Sequence, residues 1–341
     1  MQKKILITGG AGFIGSNFVY HIARQYPEYS IVVLDKLTYA GNRENIADLI
    51  DSGRVTFVQG DISDGQFIEA LFEKEKFTFV VNFAAETHVD RSIIEPGIFI
   101  QTNIIGTYTL LEAAKKYNVE RFHQVSTDEV YGDLGDNSTD YFTETTNLEP
   151  NCPYAASKTA ADLLVLSYFR TYKMHVTITR CSNNYGPYQF PEKLLPFFFQ
   201  LAKQGKPLPV YGDGKNVRDW LYVEDHCEAI DLVLHKGRPG EVYNVGGHNE
   251  KQNLEIAQLI LSFFGRPTSD ITFVEDRKAH DRRYAIDPAK IEKELGWSPK
   301  THFQEGIKKT FAWYDEHQKW SQSIIDKQKI DTDRSHLTAR K

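Results

Sequence analysis

The sequence predicts an α/β protein with a doubly wound parallel sheet and a smaller, mixed α/β C-terminal lobe. Short apolar runs alternate with helical patterns as far as about residue 180, and this alternation is typical of a parallel sheet with helices on both faces. A glycine-rich turn directly follows the first apolar run. Beyond residue 180, closely spaced prolines from Pro187 to Pro209 break the pattern into short pieces, which indicates a second, interrupted lobe.

Each predicted strand is a short apolar run bounded by glycine or polar residues. The first run, residues 3–9, ends at a glycine pair, and the second, residues 31–34, is followed by Asp35. Both have the continuous apolar character of buried parallel strands. Further strands are expected at 55–58, 79–83, 122–125 and 176–179, and helices at 13–26, 101–117, 154–172, 194–202, 225–234 and 254–264.

Composition and charge exclude several classes of protein. The 341-residue chain carries a net charge of −6, so we do not expect a nucleic-acid partner. No run approaches the roughly 18 apolar residues of a membrane span, and the apolar run that ends at Gly9 is too short for a signal-peptide core. The three scattered cysteines, Cys152, Cys181 and Cys227, fit buried thiols in a reducing cytoplasm better than disulfides. We therefore expect a cytoplasmic protein.

A glycine motif joins the first strand to the first helix. Gly9, Gly12 and Gly15 have the spacing G-x-x-G-x-x-G, and this frame predicts a Rossmann-type dinucleotide site. Glycine lets the backbone approach a pyrophosphate closely, and the helix N-terminus offers N–H groups and a partial positive charge. The alternative is a glycine-rich turn without a ligand, and the strand–helix frame together with Asp35 argues against it.

Two acidic residues at strand ends bear on the choice of cofactor. Asp35 follows Gly15 by 20 residues, where a carboxylate accepts hydrogen bonds from the adenosine ribose hydroxyls and repels a 2′-phosphate. NAD is therefore favoured over NADP, although Lys36 weakens the preference. Asp61 and Ile62 follow the third strand and are expected beside the adenine, with a helix-capping role for Asp61 as an equal alternative.

Tyr154 and Lys158 form the second motif, because their spacing places them on one helix face. A tyrosine near its usual pKa of about 10 is a poor base at neutral pH, and a lysine ammonium together with a nicotinium charge favours the phenolate. The phenolate can then take a proton from a substrate alcohol while hydride leaves. The Y-x-x-x-K spacing alone is a weak signal, and its place after Thr127 and a strand-end loop strengthens it.

The glycine motif, Thr127 in place of the usual serine, and the Tyr154/Lys158 pair resemble the extended short-chain dehydrogenase/reductases. Within that family, the chain resembles the nucleotide-sugar 4,6-dehydratases from residue 3 to about 315. The sharpest element is the adjacent pair Asp128 and Glu129, because related epimerases and decarboxylases usually lack one or both acids. The segments that carry the resemblance are residues 35–42, 83–92, 126–132, 180–187 and 246–250.

The resemblance implies dehydration of dTDP-glucose to its 4-keto-6-deoxy product by bound NAD. Tyr154 would deprotonate the C4 hydroxyl, which Thr127 holds, while hydride leaves C4. Glu129 would then remove the acidified C5 proton as general base, and a protonated Asp128 would donate to the hydroxide leaving C6, before hydride returns to C6. Neighbouring carboxylates diverge in pKa because ionising one disfavours ionising the other. A solvated loop pair or a helix N-cap is the alternative for the two acids.

The resemblance also supplies the binding residues, and Arg218 has an independent case because a guanidinium can grip a diphosphate through two parallel hydrogen bonds. A surface or capping role is the alternative for each polar residue. The expected substrate contacts are Thr87, Thr127, Asn183, Lys193, Leu194, Pro209, Tyr211, Arg218, Asn253 and His280. The expected cofactor contacts are Gly9, Gly12, Phe13, Ile14, Gly15, Asp35, Lys36, Leu37, Thr38, Asp61, Ile62, Phe83, Ala84, Ala85, Glu86, Thr102, Tyr154, Lys158 and Asn184.

Several wider expectations complete the hypothesis. Residues 1–180 would form an NAD-binding Rossmann domain to which a segment near 217–248 returns. Residues 181–317 would form an interrupted nucleotide-sugar-binding lobe, and residues 318–341 a loosely held polar tail, since they show no clear periodicity. We expect no metal site, because the H-E-x-x-H and C-x-x-C patterns are absent from the sequence. The resemblance implies a homodimer paired through the helices near 101–117 and 154–172.

Three other functions stay open. The same dehydration could act on a UDP- or CDP-sugar, and one departure bears on this choice: the family often has Pro-Gly where residues 278–279 are Lys-Ala. A nucleotide-sugar 4-epimerase would need Tyr154 and NAD but no acid at Asp128. A silent NAD-binding regulator is the third, and the intact catalytic set argues against it. The dehydratase product would feed deoxysugar synthesis, commonly of rhamnose for surface polysaccharide.

Overall fold

In the part of the chain that the computed structural model describes, residues 2–135, 138–276 and 281–328, seven parallel strands form the main sheet. Their order is β10-β6-β5-β4-β1-β2-β3. The strands of these described residues are β1 (Lys4–Thr8), β2 (Ser30–Asp35), β3 (Val55–Gln59), β4 (Phe79–Asn82), β5 (Arg121–Thr127), β6 (Val176–Cys181), β7 (Asn183–Tyr185), β8 (Leu208–Tyr211), β9 (Val217–Tyr222), β10 (Glu241–Val245), β11 (Glu250–Gln252) and β12 (Ile271–Val274).

Helices cover both faces of this sheet, as the alternating sequence pattern predicts, and the expected α/β class with its mixed second lobe is confirmed. The α-helices are α1 (Phe13–Gln25), α2 (Ala47–Asp51), α3 (Gly65–Glu75), α4 (Val89–Ile94), α5 (Pro96–Phe99), α6 (Thr107–Lys116), α7 (Pro153–Tyr172), α8 (Leu194–Lys203), α9 (Val223–Lys236), α10 (Asn253–Phe263), α11 (Ala289–Leu295), α12 (Phe303–Glu316) and α13 (Gln318–Gln328). A π-helical segment, Ile100–Gly106, joins α5 to α6.

Side chains that alternate along each strand build the two cores of the main sheet. In β1, Leu6 packs into one cluster with residues of α3, α6 and α7, whereas Ile5 and Ile7 pack into another with residues of α1 and α9. Successive side chains of a strand point to opposite faces, so a strand buried on both sides is apolar throughout. Residues 5–8 of β1 are all buried, and this double burial explains why the first apolar run is unbroken.

The chain leaves the main sheet after β6 and returns to it at β10, which pairs with β6 in parallel. Between these strands lies part of the second lobe, including α8 and the strand β9, which pairs with β7 and β11. β8 pairs with β12. The second lobe has its own core, with Leu195, Phe199 and Trp220 buried against Phe311.

The C-terminal segment differs from the expected loose tail over its first eleven residues. Gln318–Gln328 form the helix α13, and Ser321 and Ile324 are each only 5% exposed. Because only a few apolar side chains of this mostly polar segment pack against the protein, the sequence shows no clear helical periodicity. Residues 329–341 lie outside the described residues. Among the described helices, none is both long enough and apolar enough to cross a membrane.

Candidate active site

A cleft opens at the carboxyl ends of the parallel strands, where β1 and β4 lie side by side and the strand order reverses. Ligands of open α/β sheets bind at this kind of switch point. All five expected catalytic residues line the cleft: Thr127, Asp128, Glu129, Tyr154 and Lys158. The expected cofactor residues also line it, except Leu37. Leu37 instead donates its backbone N–H to Asp35 over 2.8 Å.

The glycine turn leaves no room for side chains. Gly9 has a φ of +66°, and a Cβ at that position would lie 2.6 Å from the backbone nitrogen of Ala84. A Cβ at Gly15 would lie 2.2 Å from the carbonyl oxygen of Gly9. The helix α1 follows at once, and its N-cap residue Gly12 makes no side-chain capping bond. The turn therefore presents backbone to the cleft, and its residues fit a pyrophosphate.

Asp35 connects the turn to the second strand. Its Oδ2 accepts from the backbone N–H of Ala11 over 3.0 Å, and its Oδ1 accepts from Leu37. Burial raises the pKa of Asp35, although both hydrogen bonds oppose that shift. The carboxylate oxygens keep further lone pairs, which can accept hydrogen bonds from ribose hydroxyls.

Lys36 forms an ion pair with Asp61, with 2.7 Å between Nζ and Oδ2. Asp61 also accepts from the backbone and hydroxyl of Ser63, whereas Asp64 caps α3. Asp61 is therefore not the N-cap of α3, the alternative role that the sequence left open; it stabilises only the local turn with Ser63. Because the Lys36 ammonium is already neutralised, it offers less to a 2′-phosphate, which favours NAD over NADP.

Asp128 and Glu129 lie in one 3₁₀ turn, Asp128–Tyr131, directly after β5. Thr127 orders this turn: its Oγ1 accepts from the backbone N–H of Glu129 over 3.2 Å and donates to Oδ1 of Asp128 over 3.3 Å. The two acids differ in environment, because Asp128 is 2% exposed and Glu129 is half-buried. The sequence pattern alone could not separate their surroundings.

The electrostatics of Asp128 favour a neutral carboxyl group. Burial raises its pKa well above the usual range, and the carboxylates of Glu129 and Asp219 raise it further, while Arg218 opposes them. Its Oδ2 is buried and has no hydrogen-bond partner among the described residues. A protonated Asp128 can therefore donate a hydrogen bond or a proton through that oxygen.

Tyr154 and Lys158 occupy the first turns of α7, which begins at Pro153 with Cys152 as N-cap. Burial raises the pKa of Tyr154 well above 10, Glu129 raises it further, and a hydrogen bond with Thr127 opposes both. Lys158 donates to the backbone oxygen of Val125 over 2.8 Å, and burial lowers its pKa. Ionisation of Tyr154 near neutral pH therefore requires positive charge to enter the cleft, as a nicotinium ring would supply.

The π-helical segment supports the cofactor wall through Asn103. The Asn103 side chain accepts from the backbone N–H of Glu86 over 2.8 Å, and donates to its carbonyl oxygen over 3.0 Å. It also donates to the hydroxyl of Ser157 on α7 over 2.8 Å. Asn103 thus ties the wall that contains Glu86 to the helix that carries Tyr154. Sequence analysis missed this residue, and π-helical turns are frequent at functional sites.

The expected substrate residues fall into two groups. Thr87, Asn183 and Lys193 line the cleft together with Thr127. The others belong to the second lobe and are not among the lining residues: Leu194 begins α8, Pro209 and Tyr211 lie in β8, Arg218 lies in β9 and Asn253 begins α10. His280 lies outside the described residues. Lining residues that sequence analysis missed include Tyr39, Gly41, Cys181, Gln189 and Phe190.

Arg218 is buried, at 6% exposed, and hydrogen bonds to backbone carbonyl oxygens hold its guanidinium in place. Its Nη1 donates to its neighbour Val217 over 2.8 Å and its Nη2 to Asp281 over 2.9 Å. The guanidinium lies 4.3 Å from the ring centre of Tyr284. Its positive charge acts on Asp128 and opposes the rise in pKa that burial of that carboxyl group causes. Arg218 is therefore a fixed positive charge between the second lobe and the acid pair. Tyr284 carries no sequence signal for this contact.

The parallel sheet, the glycine turn and the Tyr154/Lys158 pair define an extended short-chain dehydrogenase/reductase. Residues 6–310 match the family model described as GDP-mannose 4,6 dehydratase, and the chain belongs to that family.

Three similar proteins refine this assignment. The chain is 52% identical to a dTDP-glucose 4,6-dehydratase of Xanthomonas campestris pv. campestris, over 94% of this chain and 95% of the relative. A crystal structure of the Bacillus anthracis dTDP-glucose 4,6-dehydratase in complex with NAD has a TM-score of 0.88 and 50% identity, and the match covers 94% and 99% of the two chains. The dTDP-glucose 4,6-dehydratase DesIV of Streptomyces venezuelae, with NAD and TYD bound, has a TM-score of 0.89 and 47% identity with the same coverage.

Proposed function

We propose that this chain is an NAD-dependent hydro-lyase that converts dTDP-glucose to dTDP-4-keto-6-deoxyglucose. The observation that carries this proposal is the acid pair in the cleft of Tyr154 and Lys158. Asp128 is buried, has a raised pKa, and has one carboxyl oxygen without a hydrogen-bond partner among the described residues, whereas the adjacent Glu129 is more exposed. Oxidation alone would need only the tyrosine and lysine. Relatives of about 50% identity carry the same activity in their names.

The first step is removal of a proton from the C4 hydroxyl by Tyr154. Thr127, hydrogen-bonded beside it, holds the C4 oxygen. Bound NAD supplies a hydride acceptor for C4 and afterwards a donor for C6, so the cofactor ends as it began. Lys158 lines the same cleft and donates to the carbonyl oxygen of Val125; its ammonium would stabilise the phenolate through positive charge.

The second step is the loss of water across C5 and C6. Glu129 takes the proton from C5, which the 4-keto group has made acidic, and Asp128 gives its proton to the hydroxyl that leaves C6. The C5–H and C6–O bonds break, a double bond forms between C5 and C6, and one water results. A neutral Asp128 suits this role because hydroxide is a poor leaving group without a proton donor. Hydride then adds to C6 and a proton returns to C5.

The substrate spans both lobes in this proposal. Thr87, Asn183 and Lys193 contact the glucose and the diphosphate from the cleft. Arg218 supplies fixed positive charge toward the diphosphate, and the second-lobe residues Leu194, Pro209, Tyr211 and Asn253 contact the nucleoside. His280, which lies outside the described residues, is proposed to contact the nucleoside with them.

A substrate comparison tests the function. The protein is incubated with dTDP-, UDP- and CDP-glucose and the products are followed by mass, where a dehydratase shows loss of one water from the dTDP-sugar. Deuterium placed on C4 must reappear on C6. A product of unchanged mass would indicate the 4-epimerase, and an unchanged sugar would indicate a silent NAD-binding protein. Preferential turnover of UDP- or CDP-glucose would correct the base selectivity alone.

We also propose a homodimer paired through α6, α7 and the π-helical segment. Large apolar side chains on these packed helices are exposed: Ile100 at 52%, Tyr108 at 46% and Leu163 at 51%. Exposed large apolar side chains on neighbouring helices favour a protein interface. Sedimentation at micromolar concentration should show a dimer for the wild-type protein and a monomer for Leu163→Glu. A wild-type monomer would contradict the proposal.

We propose a cytoplasmic location as well. The three cysteines are free and buried, which supports it.

A further inference from the structure

Two hydrogen bonds connect the helix α13 to the glycine turn. The indole Nε1 of Trp320 donates to Oδ1 of Asn45 over 2.8 Å, and Nδ2 of Asn45 donates to the carbonyl oxygen of Ala11 over 2.9 Å. An indole N–H only donates and a carbonyl only accepts, so the amide orientation of Asn45 is fixed from both sides. Asn45 is 2% exposed and Ala11 is fully buried. The Asn45–Ala11 end of the link is therefore buried as well as specific.

Ala11 is the point where these bonds reach the cofactor site. Its carbonyl oxygen accepts from Asn45 and also from the backbone N–H of Asn42 over 3.0 Å. Its own N–H donates to Asp35 over 3.0 Å. Ala11 is thus held through its N–H and through its carbonyl oxygen, and these bonds fix the glycine turn relative to the carboxylate expected at the adenosine ribose.

The C-terminal helices α12 and α13 also support the part of the cleft wall that contains Gln189. Trp320 packs against Tyr188, with ring centres 6.0 Å apart, and Tyr314 of α12 donates to the carbonyl oxygen of Gln189. Tyr188 stacks in turn on Tyr20 of α1 at 6.0 Å. Gln189 lines the cleft. Trp320 therefore contacts the supports of two walls, one through Asn45 and one through Tyr188.

We propose that Trp320 is a positioning residue for the dinucleotide: through Asn45 it fixes the Ala11 peptide, and so raises the affinity of the glycine turn for NAD. This inference rests on the proposed function, because it takes NAD as the ligand of the turn. Trp320 itself is not among the residues that line the cleft. The C-terminal segment, whose composition indicates only a tail, thus contributes to cofactor retention.

The variant Trp320→Phe tests this inference because it keeps an aromatic ring and removes the N–H donor. Calorimetric titration of the NAD-free full chain should show a Kd for NAD about 3–10-fold higher, the range of one hydrogen bond. At saturating NAD, kcat and the KM for the sugar should not change. The matched control is Trp297→Phe, which removes another buried indole bond, to the carbonyl oxygen of Asp225 over 3.2 Å, and should leave the NAD Kd unchanged.

A double-mutant cycle with Asn45→Ala identifies the route. If Trp320 acts through Asn45, the double variant should bind NAD as weakly as Asn45→Ala alone. An unchanged NAD Kd in Trp320→Phe, or fully additive effects in the cycle, overturns the inference. If Trp320→Phe does not fold, Asn45→Ser replaces it in the titration, and an unchanged Kd again overturns the inference. A wild-type protein that binds no NAD overturns the proposed function as well, so the two failures are distinguishable.

Discussion

Thr127 and Asp128 are joined side chain to side chain, Oγ1 to Oδ1 over 3.3 Å, at the end of β5. The bond occupies one carboxyl oxygen of Asp128 and leaves the other, Oδ2, facing buried surroundings without a partner among the described residues. In the proposed mechanism, Thr127, which would hold the oxygen on C4, thus also orients Asp128, the acid that would protonate the leaving hydroxyl. Under this proposal, oxidation and elimination depend on the same turn at the end of β5.

Asp128→Asn and Glu129→Gln should each separate oxidation from elimination. Each change removes a proton-transfer group, so turnover should fall about 10²–10⁴-fold, while oxidation at C4 by Tyr154 continues. Reduced cofactor should accumulate on the enzyme and be visible by its absorbance after dTDP-glucose is added. The exposed Asp51→Asn serves as control and should turn over normally. Wild-type rates in both variants contradict the assigned roles.

Asp128→Asn should also stabilise the protein, increasingly as pH rises. The raised pKa of Asp128 means that the folded chain keeps a proton that the unfolded chain releases above roughly pH 4, so this group lowers stability at higher pH. Asparagine does not titrate. Denaturant unfolding should show a gain of about 1 kcal/mol or more near neutral pH, vanishing below roughly pH 4. A gain independent of pH indicates that Asp128 is ionised in the folded protein.

The buried ion pair between Arg180 and Asp162 should be far more sensitive than an exposed pair. Arg180 Nε lies 2.9 Å from Asp162 Oδ2, and the side chains are 3% and 0% exposed. Asp162→Asn leaves a buried guanidinium uncompensated and should lower the free energy of unfolding by about 3 kcal/mol or more. Glu69→Gln, at the exposed pair with Lys116, should change it by less than about 1 kcal/mol. Equal effects in urea unfolding contradict this difference.

Release of Lys36 from Asp61 should weaken the preference for NAD over NADP. Asp61→Asn removes the charge that neutralises the Lys36 ammonium, which then attracts a 2′-phosphate. We expect the ratio of the two dissociation constants to shift toward NADP by about 2–5-fold, the range of an exposed charge pair. Calorimetric titration with both cofactors measures the ratio, and the exposed Glu28→Gln should leave it unchanged. No shift in Asp61→Asn shows that Lys36 points away from the ribose.

Much of the fold and of the cleft could be predicted because both depend on local patterns. Ile5, Leu6 and Ile7 form an unbroken apolar run since both faces of the sheet are covered. The carboxyl ends of parallel strands meet at one edge of the sheet, so Asp35 at the end of β2 and Asp128 directly after β5 had to lie at the same edge. The glycine spacing required only that a strand precede it and a helix follow it.

The parts that could not be predicted depend on contacts between distant segments. Trp320 and Asn45 are 275 residues apart, and neither has a local pattern that indicates the other. The π-helical segment around Asn103 has no recognisable signature in the sequence. In the second lobe, strands of three to six residues give too little periodicity to place Arg218 or Tyr211 relative to the cleft.

The late return of β10 to the main sheet has a consequence during synthesis. The ribosome synthesises the chain from the N-terminus, so the backbone of β6 on the side that pairs with β10 stays unpaired until residues 241–245 have emerged. At synthesis speeds of roughly 5–20 residues per second, that interval of about sixty residues lasts several seconds. An unpaired edge recruits foreign strands. Nascent chains of this enzyme are therefore most vulnerable to aggregation just before β10 is made, and a chaperone that shields β6 would act in that window.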